Sequence, residues 1–228
     1  SVIDGLITVA GDLGVVVIEA HSAEAILDGL HYDSIYHEHL FYFSLETLCG
    51  LCEQHGLYPF DVFESPISGG SLAVFLSQRR YPPSSRLDEA TDPGMSLKTN
   101  SPGSWAVFAD SAIEHAATLK EVVAEYSLSG KVVGYGASAR SSTMLNFAGI
   151  TSADVVAVID GNELKQGRLT AGTDIPIVSP EVGMGEIGSA DAVLLLAWNF
   201  EEEIVGQLRG SGFRGDIIAP LPRTIRIL

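Results

Sequence analysis

The chain has 228 residues, of which 46% are hydrophobic, and 29 acidic against 13 basic side chains give a formal net charge of −16. This apolar fraction predicts packed cores rather than a disordered chain, and no apolar run reaches the roughly 18 residues that a membrane span needs. Two cysteines are too few for a disulfide framework, and scattered basic residues do not form a surface for nucleic acid. We therefore expect a soluble, cytoplasmic protein that binds neither nucleic acid nor a membrane.

The chain opens on the end of a helix and a strand at residues 15–19 that is apolar on both faces, which is typical of the middle of a parallel sheet. Helices are predicted near residues 22–30 and 45–56. Strands 57–63 and 71–77 are separated by a turn cluster and are expected to pair antiparallel. The first region therefore reads as the end of an α/β sheet with one reversed edge strand, and we expect a part upstream of it to be absent.

Residues 79–104 are rich in proline and serine and lack a helical or strand period, so they are predicted to be a linker between domains 1–78 and 105–228. A long helix is predicted at residues 105–126. Strands then alternate with helices to the C-terminus, which predicts a small, mostly parallel, Rossmann-like sheet with helices on both faces. The strands are predicted at residues 131–135, 155–160, 192–197 and 216–219, and the helices near residues 142–148 and 201–209. The fold class is α/β in both regions.

A glycine-rich turn, Gly134-Tyr-Gly-Ala-Ser-Ala139, follows a predicted strand and opens a helix, and Asp160 ends the next strand. This spacing is that of a dinucleotide-binding turn, whose glycines allow phosphate to approach a helix N-terminus. A phosphorylated ligand, which includes a nicotinamide cofactor, and a merely structural turn both remain open. The candidate contacts in this turn are Gly134, Gly136, Ala137 and Ser138.

Four proton-carrying side chains follow one another in Tyr36-His37-Glu38-His39. In an extended chain Tyr36 and Glu38 would point one way and His37 and His39 the other. The apolar and aromatic residues around them would bury part of the segment, and a buried polar group needs a partner. The pattern favours general acid–base chemistry. No third and fourth ligand stand at a recognisable spacing, so no metal is expected here.

Cys49 and Cys52 have the spacing of a redox motif, but they lie in a predicted amphipathic helix and have no second pair. We interpret them as small apolar residues of that helix. The isolated histidines are expected at the surface or at helix caps; they are His21, His31, His55 and His115.

Two further segments carry candidate binding residues. Lys165 and Arg168 place two cations in one loop of a chain that is poor in them, which suits phosphate. Trp198 and Asn199 follow a predicted strand at its carboxyl end, the edge where open α/β sheets bind ligands. Contact with a base or sugar and simple packing are both open for Trp198.

The chain contains, in this order, the segments IYHEHLFYFSL, SGGSLAVF, GKVVGYGASAR with MLNFAGI, DGNELKQGR with AGTDIPI, LLLAWNFEEEI and APLP. Together they resemble the sugar C-methyltransferases, which use S-adenosylmethionine to methylate a ring carbon of a nucleotide-linked 4-keto deoxysugar. The resemblance extends over the whole chain, which corresponds to about the C-terminal half of a family member.

Family members consist of a cysteine-rich zinc domain, a class I methyltransferase Rossmann domain for the methyl donor and a C-terminal domain for the sugar nucleotide. The resemblance implies that residues 1–78 are the end of the donor domain and residues 105–228 the sugar-nucleotide domain. Zinc is then expected only in an upstream domain. Because the donor loop is missing from this chain, the chain alone is expected to bind the donor weakly and to be inactive.

The resemblance also implies that His39 removes a proton beside the ketone, while Tyr36 and Glu38 orient the substrate or stabilise charge, with His37 between them. The expected partner is a nucleotide-diphosphate keto-sugar, and the expected state is a monomer or homodimer. An NAD(P)-dependent oxidoreductase and a non-catalytic nucleotide-sugar-binding module are the alternatives.

The sequence departs from the family pattern at several positions. Arg140 stands where relatives usually have lysine, Ser141 and Ser142 replace Gly-Asn, and Asp174 stands where histidine is common. Arg140 remains a candidate contact to the sugar nucleotide.

Overall fold

A computed structural model describes residues 1–91 and 98–228, apart from the side chain of Met184. The chain divides into two compact units, Ser1–Asp28 with Leu40–Phe108 and Gly29–His39 with Ala109–Leu228. Of the predicted linker, residues 92–97 lie outside the described residues, whereas helix α4 lies in its described part. Each unit is described separately below.

The first unit contains a three-stranded sheet and short helices. Its elements are α1 (Val2–Ala10), β1 (Val16–His21), α2 (Ala23–Gly29), α3 (Leu45–Gln54), β2 (Tyr58–Ser65), β3 (Ser71–Ser77), α4 (Ser85–Ala90) and the start of α5 (Pro102–Ser129). The strand order is β1-β3-β2, and β3 is antiparallel to both neighbours. The antiparallel pair is confirmed, but the reversed strand is not at the edge, because it bonds to strands on both sides.

The core of this unit forms between α3 and the sheet. Ser44 caps α3 by accepting the N–H of Thr47, and the helix then buries one face against strand residues such as Val74. Cys49 and Cys52 lie on that face and are both buried. Their interpretation as apolar helix residues is confirmed.

The second unit contains a six-stranded sheet in the order β6-β5-β4-β7-β8-β9. Besides the rest of α5, its elements are β4 (Val132–Tyr135), α6 (Ala139–Ala148), β5 (Ala157–Ile159), β6 (Ile177–Val178), α7 (Pro180–Ile187), β7 (Ala192–Leu195), α8 (Glu201–Gly210), β8 (Asp216–Ala219) and β9 (Arg226–Ile227). All neighbouring strands are parallel except β8 and β9. The predicted mostly parallel α/β unit is confirmed at this level, and β6, α7 and β9 are additions to it.

The strand order places a topological switch point between β4 and β7. From β4 the chain proceeds through β5 to β6 on one side, and then through β7 to β8 on the other. In open parallel sheets, loops diverge at such a point and leave a crevice at the carboxyl ends of the strands. The loops concerned begin at Gly136 and at Leu196.

None of the helices in the described part of the chain combines the length and apolar character needed to cross a membrane.

Candidate active site

The Tyr36–His39 segment is held in the second unit by the residues just before it. A short 3-10 turn, Tyr32–Ser34, is fully buried. The backbone N–H of Arg223 donates to the carbonyl oxygen of Gly29 at 2.8 Å and fixes the start of this stretch. The segment therefore belongs to the second unit, although it precedes residue 105, where the second domain is predicted to begin.

Tyr32 and His115 form the first anchor of this stretch. The Tyr32 hydroxyl lies 3.2 Å from His115 Nδ1, and His115 Nε2 lies 2.7 Å from the carbonyl oxygen of Pro220. A carbonyl oxygen only accepts, so Nε2 carries the proton and Nδ1 accepts from the tyrosine. Burial lowers the pKa of His115, which keeps this chain of hydrogen bonds neutral.

Asp33 forms the second anchor, and its side chain is 0% exposed. Its carboxylate accepts two bonds from Arg140, at 2.9 Å from Nε and 3.0 Å from Nη2. It also accepts the indole N–H of Trp198 at 2.8 Å. The guanidinium of Arg140 lies over the Trp198 ring, 4.7 Å from its centroid. Asp33 thus joins the start of α6, which follows β4, to the loop after β7, on both sides of the switch point.

His31 packs against the same tryptophan, with ring centroids 4.7 Å apart. Burial, with a smaller effect of the Arg140 charge, lowers the pKa of His31 to about 4. The expectation of a surface or cap position is wrong for His115, which is buried within α5, whereas His31 stands at the N-cap position of the 3-10 turn but is buried there. His55 does cap the C-terminus of α3.

Tyr36 and His39 meet across a tight turn rather than along an extended strand. The N–H of His39 donates to the Tyr36 carbonyl oxygen at 3.0 Å. The Tyr36 hydroxyl then lies 3.1 Å from His39 Nε2, while His39 Nδ1 lies 3.0 Å from the Ser34 carbonyl oxygen. Because that oxygen only accepts, Nδ1 carries the proton. In neutral His39 the basic nitrogen is therefore Nε2, which faces the tyrosine.

Of the four residues Tyr36–His39, here called the tetrad, the other two are more open to solvent. His37 and Glu38 are exposed, whereas Tyr36 and His39 are half-buried. Burial and, secondarily, the charge of Glu38 raise the pKa of Tyr36. The tyrosine is therefore a neutral hydrogen-bond donor over the physiological pH range.

The glycine-rich turn after β4 uses its own amides internally. The N–H groups of Gly136, Ala137 and Ser138 donate to the Ile159 carbonyl oxygen, the Asp160 carboxylate and the Ser141 hydroxyl. Gly136 has φ +97°, and a Cβ atom there would lie 2.6 Å from that of Ala197. Gly134 is similarly confined beneath side chains of β5 and the loop after β7. These contacts favour a structural role for the glycines.

Asp160 and Lys165 brace this turn from the loop after β5. The carboxylate of Asp160 accepts from Ala137, from the backbone of Asn162 and from the ammonium of Lys165, the last at 3.1 Å. Lys165 also donates to the Ala137 carbonyl oxygen at 2.7 Å. Arg168, three residues on, is exposed. The two predicted phosphate-binding cations thus differ: one braces the turn and the other faces solvent.

Trp198 is 6% exposed and its N–H is bonded to Asp33, which favours packing over contact with a base. Asn199 is half-buried beside it. Asp33 is a site residue that was not predicted from the sequence. An acidic residue amid Leu30, Tyr32 and Ile35 is a signal for a buried, paired carboxylate.

The first unit has an open groove of about 1800 Å³ along α3, β2 and α4. None of the predicted site residues lines it, so its size does not locate the site. Among the described residues, no group of three or more His, Cys, Asp and Glu side chains could hold a metal ion.

A family model described as "C-methyltransferase C-terminal domain" matches residues 66–222. The chain is also 32% identical to the C-methyltransferase NovU of Streptomyces niveus over 234 aligned residues, which cover 98% of this chain and 54% of that protein. The chain therefore spans about half the length of the curated relative it matches. With most of its length matched by the family model, the chain belongs to the C-methyltransferase family and carries its C-terminal domain.

Proposed function

We propose that the whole protein transfers a methyl group from S-adenosylmethionine to the ring carbon beside the ketone of a nucleotide-linked 4-keto deoxysugar. In this proposal the present chain supplies the acid–base residues and the crevice for the sugar nucleotide. The observation that carries the proposal is the Tyr36–His39 pair, because its basic nitrogen is oriented by a backbone carbonyl and it stands in a segment tied to the switch point of a parallel sheet.

The chemistry requires a base, because a ring carbon becomes nucleophilic only after loss of the hydrogen made acidic by the neighbouring ketone. His39 Nε2 suits this step, since the unprotonated nitrogen of a neutral imidazole accepts a proton and a placed base contributes roughly 10² to 10⁴ in rate. The proton moves from the sugar carbon to Nε2, and the electron pair moves onto the ketone oxygen. The substrate carbon must then displace Tyr36 from its hydrogen bond to Nε2.

Tyr36, once displaced, is the donor proposed for the enolate oxygen. A neutral phenol donates one hydrogen bond, and a well-aimed donor to a developing oxyanion contributes on the order of 10² to 10³ in rate. Glu38 and His37 are exposed and lie on the same turn, where they are proposed to orient polar groups of the sugar.

The sugar nucleotide is proposed to bind at the switch-point crevice. The turn after β4, with Gly134, Gly136, Ala137 and Ser138, and the packed ring of Trp198 after β7 are proposed to shape this crevice. The proposed contacts to the sugar nucleotide come from the side chains of Arg140 in α6, Lys165 and Arg168 after β5, and Asn199 after β7. Because the amides of the turn have internal acceptors, the diphosphate is expected to meet cationic side chains, with the exposed Arg168 first among them.

Neither cofactor of the family finds its donor set in the residues described. S-adenosylmethionine supplies an electrophilic methyl group, and its binding is assigned to the part of the donor domain that the resemblance places upstream. A cysteine binds zinc as the thiolate, whereas burial raises the pKa of Cys49 to about 12 and also raises that of Cys52. These two thiols stay protonated and do not fit a zinc site.

The nicotinamide alternative depends on Asp160 contacting a ribose. Its carboxylate already accepts from Ala137, Asn162 and Lys165, so most of its acceptor capacity is used within the protein. The site therefore supports the methyltransferase better.

The test uses the full-length protein with methyl-labelled S-adenosylmethionine and a 4-keto deoxysugar nucleotide. We expect the label on the carbon adjacent to the ketone, identified by NMR of the product. Incubation of the substrate in D₂O without the methyl donor should also exchange the hydrogen at that carbon. If the enzyme binds the sugar nucleotide but shows no labelling and no exchange, the proposal is refuted.

A further inference from the structure

Asp33 is separated from His39 by only a few residues, and the intervening Ser34 links the two. The carboxylate of Asp33 is fixed by three hydrogen bonds from Arg140 and Trp198. The next residue, Ser34, offers its carbonyl oxygen to His39 Nδ1 at 3.0 Å. The position of that oxygen therefore depends on how firmly Asp33 is held.

We propose that Asp33 is a positioning residue that sets the tautomer of His39 by holding the Ser34 carbonyl oxygen in place. It does not contact the substrate. Through its bonds to Arg140 in α6 and Trp198 after β7, it fixes the turn whose carbonyl oxygen orients the His39 ring. This role rests on the proposed function, in which His39 Nε2 is the base.

The side chains of the 3-10 turn Tyr32–Ser34 restrain the position of the Ser34 carbonyl oxygen. A 3-10 turn of three residues has few hydrogen bonds of its own, so its position depends on its side chains. Of these, Asp33 makes charge-assisted bonds, which are the shorter and stronger kind. If the Ser34 oxygen moves away, the proton of His39 is no longer confined to Nδ1, and the tautomer with a protonated Nε2 becomes populated. That tautomer has no lone pair at the reacting position.

The first readout is the tautomer itself, measured on this chain by long-range ¹H–¹⁵N NMR of the His39 ring. In the wild type we expect the neutral ring to be protonated at Nδ1. In Asp33→Asn we expect a mixture of both tautomers. The matched control is Asp154→Asn, which removes a carboxylate paired with Lys120 in the same unit and should leave the His39 spectrum unchanged.

The second readout is kinetic and uses the full-length enzyme. Misplacing a catalytic group by about 1 Å costs on the order of 10² in rate, so Asp33→Asn should lower kcat by roughly that factor. KM should rise by a smaller factor than kcat falls, because Asp33 is buried and affects the sugar nucleotide only through its partners Arg140 and Trp198.

Trp198→Phe provides a second variant, because it removes one bond to Asp33 and keeps the ion pair with Arg140. It should shift the tautomer in the same direction by a smaller amount, and it decides the question where Asp33→Asn does not fold. An unchanged His39 tautomer in a folded variant would overturn the proposal. If Asp33→Asn loses the tautomer preference but the wild-type enzyme does not methylate the keto-sugar, the positioning role of Asp33 stands. Only the proposed function is then refuted.

Discussion

The hydroxyl of Tyr36 lies 3.1 Å from Nε2 of His39, three residues further along the same turn. The order of tyrosine, histidine and backbone carbonyl recurs in the same unit at Tyr32, His115 and Pro220. Exposure separates the two arrangements, because Tyr32 and His115 are sealed in the core, whereas Tyr36 and His39 are half-buried. Only the second pair is open to a substrate.

Replacement of the base should stop the reaction without removing the substrate site. In the full-length protein, His39→Asn is expected to lower the rate of C-methylation by roughly 10² to 10⁴, while affinity for the sugar nucleotide, measured by calorimetry, stays within about threefold because the crevice is intact. His55→Asn, in the first unit, is the control and should retain activity. A His39→Asn enzyme as fast as the wild type would exclude this residue as the base.

Loss of the Tyr36 hydroxyl should slow the reaction, because it removes the hydrogen-bond donor proposed for the enolate oxygen. Tyr36→Phe keeps the ring and removes the donor, so kcat is expected to fall by on the order of 10². Proton exchange at the sugar carbon in D₂O should slow with it, because the same enolate forms in both experiments. Exchange at the wild-type rate in Tyr36→Phe would contradict the assignment of this hydroxyl.

The buried ion pair should be worth far more than an exposed one. Arg140→Met leaves the fully buried carboxylate of Asp33 without a cation, and such a change typically costs about 3 to 5 kcal/mol of unfolding free energy. Arg86→Met breaks the more open pair with Asp61 and should cost far less stability, because surface ion pairs are screened by water.

The two tryptophans allow the units to be followed separately in urea. Trp198 reports on the second unit in a Trp105→Phe background, and Trp105 reports on the first unit in a Trp198→Phe background. Equal losses of stability for Arg140→Met and Arg86→Met would show that the Asp33 pair is not a buried anchor.

Gly136 should be required for packing against the loop after β7. At Gly136→Ala the new methyl group would collide with Ala197, and the residue would also sit at φ +97°. Gly149→Ala meets no neighbour within 4 Å and carries only the strain of φ +67°, about 1 kcal/mol. We expect the Gly136 variant to lose more stability, and the second change Ala197→Gly to restore part of it. Simple addition of the two effects would argue against the steric explanation.

Much of the fold follows from local signals. Strand 71–77 and strand 216–219 are predicted with the bounds that the structure has, because both are apolar runs between turn residues. The two-residue strands β6 and β9 are too short to show a period, and α7 contains Gly183 and Gly185, which lower its helical propensity. These elements form because the neighbouring sheet supplies their partners.

The site is harder to predict than the fold. The four residues of the tetrad can be recognised in the sequence by their types. Their order does not show whether the backbone between Tyr36 and His39 forms a turn or a strand. The burial of Asp33 depends on Arg140, 107 positions away, and on Trp198, 165 positions away. No local pattern encodes such contacts, so the anchor becomes visible only once the chain has folded.

The second unit should lose stability in mild acid through His31. Its folded pKa is about 4, below the ordinary value of 6.5, because burial disfavours the charged ring. Between these two pH values the unfolded chain binds a proton that the folded chain does not, so the free energy of unfolding falls as the pH falls. Through His31, the free energy of unfolding should fall by on the order of 3 kcal/mol between pH 6.5 and pH 4. His115, whose pKa is also lowered, acts in the same direction.

The measurement is urea denaturation of the Trp105→Phe chain at several pH values between 6.5 and 4. His31→Gln should be less stable at neutral pH, because a packed ring is lost, but its stability should fall less steeply with acid, since glutamine does not titrate. His55→Gln, at a partly exposed histidine of the first unit, should leave the slope of the second unit unchanged. An identical slope in His31→Gln and the wild type would mean that His31 is protonated in the folded state, and that the ring beside Trp198 and Arg140 is not sealed from water.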